Sequence, residues 1–148
     1  MSLQEQVTEQ LKVAMKAKDS VALESLRAIK SAILLAQTQA GAQDLTSDDE
    51  IKLVQKLVKQ RKDSAEIFRQ QGRNDLAEPE EAQIKIIEQF LPEQLDEESI
   101  AKVVDEIISQ TSAEGMKDMG KVMGMATKAM SGKADGKTIS AIVRQKLA

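Results

Sequence analysis

Apolar residues recur at spacings of three and four along most of the chain, which is the period of one face of an α-helix. Leu3, Val7 and Leu11 start the first of these stripes. Ala, Leu, Lys, Glu and Gln are abundant, and no segment alternates apolar and polar residues as a half-buried strand would. The pattern therefore predicts an all-α fold.

Capping and breaking residues divide this pattern into seven predicted helices. The longest is the third, because its apolar period persists from the first capping box to a glycine. The second helix is predicted to begin at a cap, Asp19 or Ser20, and to stop at Gly41, and the third to run from a capping box at Thr46 or Ser47 to near Gly72. The fourth helix is predicted over about Asn74 to Phe90, with an irregularity around Pro79. Asp96 is the predicted cap of the fifth helix, the sixth runs from about Lys117 to Met130, and Asp135 is the predicted cap of the seventh.

A domain boundary is predicted at the Leu91-Pro92 pair. The residue before a proline resists the helical conformation, so the fourth helix should end there. The chain then divides into an N-terminal four-helix domain, residues 1–92, and a C-terminal three-helix domain, residues 93–148.

Composition excludes several kinds of chemistry. The chain has no cysteine and no histidine, which removes disulfides, thiolate nucleophiles and the commonest zinc ligands. Phe68 and Phe90 are the only aromatic residues, so recognition of single strands by base stacking is not expected. The carboxylates all lie on polar helix faces, and no pair of them indicates a catalytic site. We therefore predict no catalytic residue, no metal and no cofactor.

No segment approaches the roughly 20 apolar residues of a membrane span. The first ten residues are polar and lack the apolar core of a signal peptide. We accordingly expect no membrane partner and a cytoplasmic location.

The predicted sixth helix has two chemically different faces. Met119, Val122, Met123, Ala126 and Met130 fall on one side, and lysines surround a glycine on the other. A phosphate backbone could approach closely at that glycine, although a methionine core stripe with a solvated lysine face is the plainer interpretation. The candidate nucleic-acid-binding residues here and in the following turn are Lys117, Lys121, Gly124, Lys128, Lys133 and Lys137.

Charge is strongly segregated within the C-terminal domain. Residues 117–148 carry seven basic and two acidic side chains, a net charge of +5, whereas residues 93–116 carry one basic and seven acidic side chains, a net charge of −6. Such a distribution can steer a phosphate-rich partner to one side of a small domain.

Two glycine motifs suggest other functions. The run from Gly132 to Thr138 ends in Gly-Lys-Thr like a phosphate-binding loop, but the glycine spacing is one residue short and no strand precedes it. Asp135 would also occupy the place of the phosphate, so we prefer it as a helix cap. Gly120 and Gly124 form a small-xxx-small pair, which we expect to serve a close helix crossing within the domain.

A second basic patch crowds the end of the predicted third helix. Basic residues near a helix C-terminus also arise from compensation of the helix dipole, so a purely structural role is the alternative to partner binding. The members of this patch are Lys59, Arg61, Lys62, Arg69 and Arg73.

Several short runs resemble the YqeY family. Asp118-Met-Gly-Lys-Val-Met-Gly124 followed by Gly132-Lys-Ala-Asp-Gly-Lys137 is similar to the motif of the GatB/YqeY tail domain. Lys59-Gln-Arg-Lys-Asp-Ser64, Gly72-Arg-Asn-Asp-Leu76 and Leu91-Pro-Glu-Gln-Leu95 resemble the N-terminal part of the family. These motifs follow the family order over essentially the full chain.

The resemblance implies a C-terminal domain similar to the tail of the B subunit of tRNA-dependent amidotransferases, which are carbon-nitrogen ligases with glutamine as the amido-N-donor. In those enzymes the tail contacts tRNA, and the chemical steps take place in domains that this chain lacks. By the family motif, Lys121 and Lys133, with Lys117 and Lys137 beside them, are expected to contact phosphates, whereas the glycines and methionines are expected to serve the fold.

Three hypotheses follow from the sequence. The first is an accessory tRNA-binding protein without a catalytic site of its own. The second is a protein-interaction adaptor that uses the N-terminal helices and binds no RNA. The third is a working part of an amidotransferase that supplies binding but no chemistry, so that an amidotransferase or another translation-related protein would be its partner.

Overall fold

The computed structural model describes residues 2–39 and 44–148, and within them all regular structure is helical. The prediction of an all-α fold is confirmed. The predicted stop of the second helix at Gly41 lies outside the described residues. The helices are α1 (Leu3–Ala17), α2 (Ser20–Gln39), α3 (Ser47–Gln70), α4 (Asn74–Glu88), α5 (Glu97–Thr111), a 3₁₀ turn (Met116–Asp118), α6 (Met119–Ala129) and α7 (Gly136–Leu147).

The chain forms two compact units, Met1–Leu91 and Pro92–Ala148, each with its own hydrophobic core. In the first unit α3 packs extensively on α4, and α2 packs on both α1 and α4. In the second unit α5, α6 and α7 pack against one another in all three pairs. The fully buried members of the two cores include Val7, Leu26, Ile29, Val54 and Ile87 in the first, and Val104, Val122, Ala126, Ile139 and Val143 in the second.

Side-chain caps fix the starts of the helices where the sequence predicts them. The Thr46 hydroxyl accepts from the Asp49 amide at 3.1 Å and the Asp49 carboxylate accepts from the Thr46 amide at 3.1 Å, which completes the predicted capping box. Asp96 accepts from the Ser99 amide at 2.8 Å. These bonds satisfy amides that the first helical turn leaves without partners.

Two predicted helix boundaries differ from the structure. The sixth helix begins at Met119 rather than Lys117, because Met116–Asp118 forms a 3₁₀ turn. Gly115, directly before this turn, is in an extended conformation. The fourth helix runs without interruption through Pro79 and ends at Glu88. Pro79 is the sixth residue of α4, past the first turn in which proline is readily tolerated, and it has no amide to bond the Asp75 carbonyl, yet the helix is not broken there.

Ser112 ends α5 in the left-handed conformation, with φ of 54°. A side chain with a Cβ is disfavoured there by about 1 kcal/mol, whereas glycine adopts the conformation freely. We expect Ser112→Gly to raise the free energy of unfolding by about 1 kcal/mol, measured by urea denaturation. Ser109→Gly, within the same helix, is the matched control and should lower it by a similar amount. Equal effects of the two substitutions would contradict the assigned conformation.

Candidate nucleic-acid interface

The core of the second unit determines which side of α6 faces solvent. Val122, Ala126 and Met130 are buried, and Met119 and Met123 pack against the same cluster as half-buried residues. This is the apolar face that the sequence predicts. Because α5 and α7 both pack on this helix, the opposite face is directed outward.

All six candidate residues of the second unit are exposed. Lys121, Gly124 and Lys128 lie on the outward face of α6, and Lys117 lies in the 3₁₀ turn that precedes it. Among the residues that the structure describes, Lys117, Lys121, Lys128 and Lys133 have no carboxylate within 4.0 Å. Their charges are therefore not neutralised by ion pairs within the described chain.

The glycines of α6 are not used for a helix crossing. A Cβ atom built on Gly120 or Gly124 would meet no neighbouring atom within 4 Å in the described part of the chain, and both glycines are exposed. Neither has positive φ. The expectation that this pair allows a close crossing within the domain is thus wrong, since no other helix approaches it.

In the turn between α6 and α7, the backbone of Lys133 is held in place by contacts of the adjacent residues and by a hydrogen bond to its own carbonyl. Gly132 adopts a positive φ of 78°, and Ala134 is buried in the core. The Leu95 amide donates to the Lys133 carbonyl at 2.8 Å, and the Gln94 side-chain amide donates to the Gly132 carbonyl at 2.7 Å. These bonds tie the turn to the segment that precedes α5. In the sequence the motif around Gln94 carries only a family resemblance, and no pattern there indicates this role.

Asp135 occupies the N-terminus of α7. Its carboxylate accepts from the Thr138 amide at 2.6 Å, as the prediction of a helix cap requires. A carboxylate in this position opposes the binding of a phosphate at the same helix end. The structure therefore supports the capping interpretation over a phosphate-binding loop, and Lys137 lies exposed in the first turn of α7.

The acidic helix α5 neutralises one basic residue of the C-terminal segment. Lys146 at the end of α7 lies 3.3 Å from the Asp105 carboxylate of α5. Lys102 lies 4.0 Å from Glu98 within α5 itself. Neither lysine belongs to the candidate interface, so these pairs leave the candidate residues unaffected.

The second basic patch is engaged largely in contacts between α3 and α4. Arg69 makes a two-bond ion pair with Glu81, with Nη2 to Oε2 at 2.7 Å, and Lys62 lies 3.6 Å from Glu88. Arg61 donates to the Gln83 side chain at 2.9 Å. Arg73 pairs with Asp75 at 3.1 Å at the start of α4. Lys59 is exposed. The patch therefore contributes to the packing of two helices.

Among the described residues, no group with a shifted pKa marks a site of proton transfer. Hydrogen bonds from Arg69 lower the pKa of Glu81, and those from Arg73 lower the pKa of Asp75. Backbone hydrogen bonds at the helix caps likewise lower the pKa of Asp49 and Asp96. All four carboxyl groups are thus held ionised at neutral pH. In the same residues no acidic cluster has the geometry to hold a metal ion, and no helix has the length and hydrophobicity to cross a bilayer.

The sequence pattern of the Yqey-like protein family matches residues 4–147 of the chain. The chain belongs to this family. The predicted YqeY resemblance is therefore confirmed over nearly the whole sequence.

Relatives of two kinds share this similarity. The chain is 33% identical over 127 residues to altered inheritance of mitochondria protein 41 of Pyrenophora tritici-repentis, which covers 84% of the chain and 68% of the relative. It is 43% identical over 91 residues to the protein of that name in Clavispora lusitaniae, covering 60% and 52%. It is 31% identical over 105 residues to the E subunit of glutamyl-tRNA(Gln) amidotransferase from Thermococcus gammatolerans, covering 68% of the chain and 17% of the relative.

These comparisons relate the YqeY fold to part of an amidotransferase and to proteins named mitochondrial. Because the chain spans only 17% of the amidotransferase relative, the similarity does not transfer that enzyme's activity. The fungal names also give no support to a cytoplasmic location in particular, so that location stays a prediction.

The lowered pKa of Glu81 predicts a loss of stability in acid. A carboxyl group whose pKa is lower in the folded state stabilises the fold fully above its ordinary pKa of about 4, and this stabilisation is lost as the pH falls below that value. We expect the free energy of unfolding, measured in urea, to fall from pH 5 toward about pH 2, and to fall less steeply in Glu81→Gln.

Glu80→Gln is the matched control, because Glu80 lies on the same helix and is not a partner of Arg69. It should retain the pH dependence of the unchanged chain. If Glu81→Gln and Glu80→Gln gave the same curve, the contribution of the Arg69 pair would be refuted.

Proposed function

We propose that this YqeY-family protein is an accessory tRNA-binding protein, and that the exposed lysines and glycines around α6 contact the RNA backbone. The contact is made by shape and charge rather than by base sequence, since folded RNA helices present phosphates and ribose hydroxyls to a protein surface. The expected partner is structured tRNA, alone or held by an amidotransferase or another translation-related protein.

The exposed glycines are the observation that carries this proposal. Glycine inside a helix lowers its stability by roughly 1 kcal/mol relative to alanine. Neither packing nor positive φ in the described structure requires Gly120 or Gly124. Their absent side chains leave the helix backbone open beside Lys121, Lys117 and Lys128. Such a surface suits a ligand that must approach the backbone closely and that carries negative charge.

The exposed lysines beside these glycines provide electrostatic attraction for RNA phosphates. Lys121, Lys128 and Lys133 are exposed and have no carboxylate within 4.0 Å in the described chain. Binding of a phosphate backbone to such residues releases counterions. Similarity to a protein named for glutamyl-tRNA(Gln) amidotransferase supports tRNA as the nucleic acid.

Charge reversal should separate RNA binding from folding. Because Lys121 and Lys133 are exposed, the double variant Lys121→Glu and Lys133→Glu should keep its helicity. It should lose affinity for deacylated tRNA by on the order of a hundredfold, since two phosphate contacts become repulsive. Affinity is measured by fluorescence anisotropy and helicity by circular dichroism.

The control for this prediction has the same change in net charge at a different place. Lys12→Glu and Lys30→Glu alter exposed residues of the first unit and should leave affinity within about threefold. For the unchanged protein, affinity should fall on the order of a hundredfold between about 50 and about 200 mM salt. Full affinity in the first double variant, with unchanged helicity, would refute the proposed surface.

Alanine at the two glycines should change stability and binding in opposite directions. Gly120→Ala with Gly124→Ala should raise the free energy of unfolding by about 1 to 2 kcal/mol, because alanine is the better helix former. The two methyl groups should lower tRNA affinity on the order of tenfold by preventing close approach, where tenfold corresponds to about 1.4 kcal/mol. Urea denaturation and tRNA titration measure the two effects.

Ser109→Ala is the matched control for this variant. Ser109 lies exposed on α5 and is not one of the candidate residues, so alanine there should stabilise the helix without changing tRNA affinity. A glycine double variant that is more stable and binds tRNA as well as before would remove the assigned role of the glycines.

A further inference from the structure

The first unit contains an elongated groove between α2 and α3 of about 670 Å³. One wall follows α2 from Ala32 to Gln39, and the other follows α3 from Asp49 to Gln60. The α3 wall is about 18 Å long at 1.5 Å per residue. This shape matches the side of a helix of roughly three turns rather than a compact small molecule.

Leucines and alanines line the groove and are incompletely covered. Leu35 is 61% exposed. Leu45, Leu53 and Leu57 pack against the first core but stay half-buried. The contact between α2 and α3 is much less extensive than that between α3 and α4, which is why the apolar sides of the two groove walls are not covered by each other.

The charges along the groove are asymmetric. Lys52 and Lys56 lie one turn apart on the α3 wall, and in the described part of the chain neither has a carboxylate within 4.0 Å. Among the described residues that line the groove, Asp49 carries a carboxylate, and it accepts a hydrogen bond from the Thr46 amide in the capping box. The described residues that line the α2 wall, which are Ala32, Leu35, Ala36 and Gln39, carry no charge. An occupant that complements this groove offers apolar side chains to the leucines and alanines of both walls and carboxylates to the α3 wall.

We propose that this groove binds an amphipathic helical segment of a partner protein, with two carboxylates one turn apart that pair with Lys52 and Lys56. An amphipathic helix inserts its apolar face into such grooves and takes its orientation from flanking charges. The apolar lining distinguishes this site from the lysine face of α6, because a phosphate backbone would leave Leu35 and the neighbouring apolar side chains uncovered. The proposal is independent of tRNA binding.

Selection from a peptide display library tests the composition of the occupant. The library consists of peptides of about 15 residues, with leucines fixed at helical spacing and random residues at the flanking positions. The full chain is the protein against which the peptides are selected. We expect enrichment of Asp or Glu at two positions four residues apart on one flank. Flanks that are random or enriched in Lys and Arg would overturn the proposal.

Substitutions in the groove test where the selected peptide binds. Leu35→Glu should weaken binding at least about tenfold, because it places a charge on the apolar α2 wall. Lys52→Glu with Lys56→Glu should weaken it similarly, and this variant should instead bind a peptide whose two carboxylates are replaced by lysines. Lys30→Glu, on exposed α2 surface outside the groove, is the control and should not change binding.

Three further outcomes would also overturn the proposal. Binding that is unchanged in Leu35→Glu, with helicity preserved, would place the peptide elsewhere. Self-association in sedimentation experiments that Leu35→Glu abolishes would make a second copy of this chain the occupant. Displacement of the peptide by tRNA that persists in Lys121→Glu with Lys133→Glu would make the groove a nucleic-acid site. Absence of such displacement supports a groove that does not bind nucleic acid, whatever the affinity for tRNA elsewhere on the chain.

Discussion

Burial of the apolar side of α6 is the constraint on which the second unit depends. Val122 and Ala126 are fully buried where α6 meets α5 and α7. A helix held in this way cannot rotate without exposing that side to water, at about 25 cal/mol for each Å². The orientation of Lys121 and Lys128 toward solvent therefore follows from core packing, and no interaction of the lysines themselves is needed to maintain it.

The two units use charge in different ways. In the first unit, arginines of α3 and carboxylates of α4 form pairs on the surface, as between Arg69 and Glu81. Exposed pairs of this kind contribute little to stability. In the second unit Lys117, Lys121, Lys128 and Lys133 have no carboxylate within 4.0 Å in the described chain, whereas Lys146 pairs with Asp105 between α7 and α5. Basic residues that look equivalent in sequence thus have distinct surroundings.

Much of the fold was predictable because its determinants are local. The apolar period, the capping box of Thr46 and Asp49, and the caps at Asp96 and Asp135 each involve residues within a few positions of one another. The 3₁₀ turn at Lys117 was not predicted, because the choice between two tight helical forms depends on small differences in hydrogen bonding. Long-range contacts were equally hidden, since no periodicity shows that Arg69 meets Glu81 or that Gln94 reaches Gly132.

The residues on the exposed face of α6 were predictable from the sequence, but the role of each of them was not. Segregation of lysine and methionine on α6 identified its two faces and placed Gly124 among the lysines, whereas the spacing of Gly120 and Gly124 wrongly suggested internal packing. Whether a glycine faces a neighbouring helix or open solvent depends on the positions of other helices, which spacing alone does not contain. The groove between α2 and α3 was not foreseen for the same reason.

The hydrogen bond from the Leu95 amide to the Lys133 carbonyl joins residues 38 positions apart. It closes a loop that contains α5 and α6, so the conformation of the turn is set before any ligand arrives. A preorganised turn loses little backbone entropy when it is immobilised in a complex, in contrast to a basic tail that must become ordered at the moment of contact. Amide exchange at Leu95 would consequently report on opening of the contact between this turn and the segment that precedes α5.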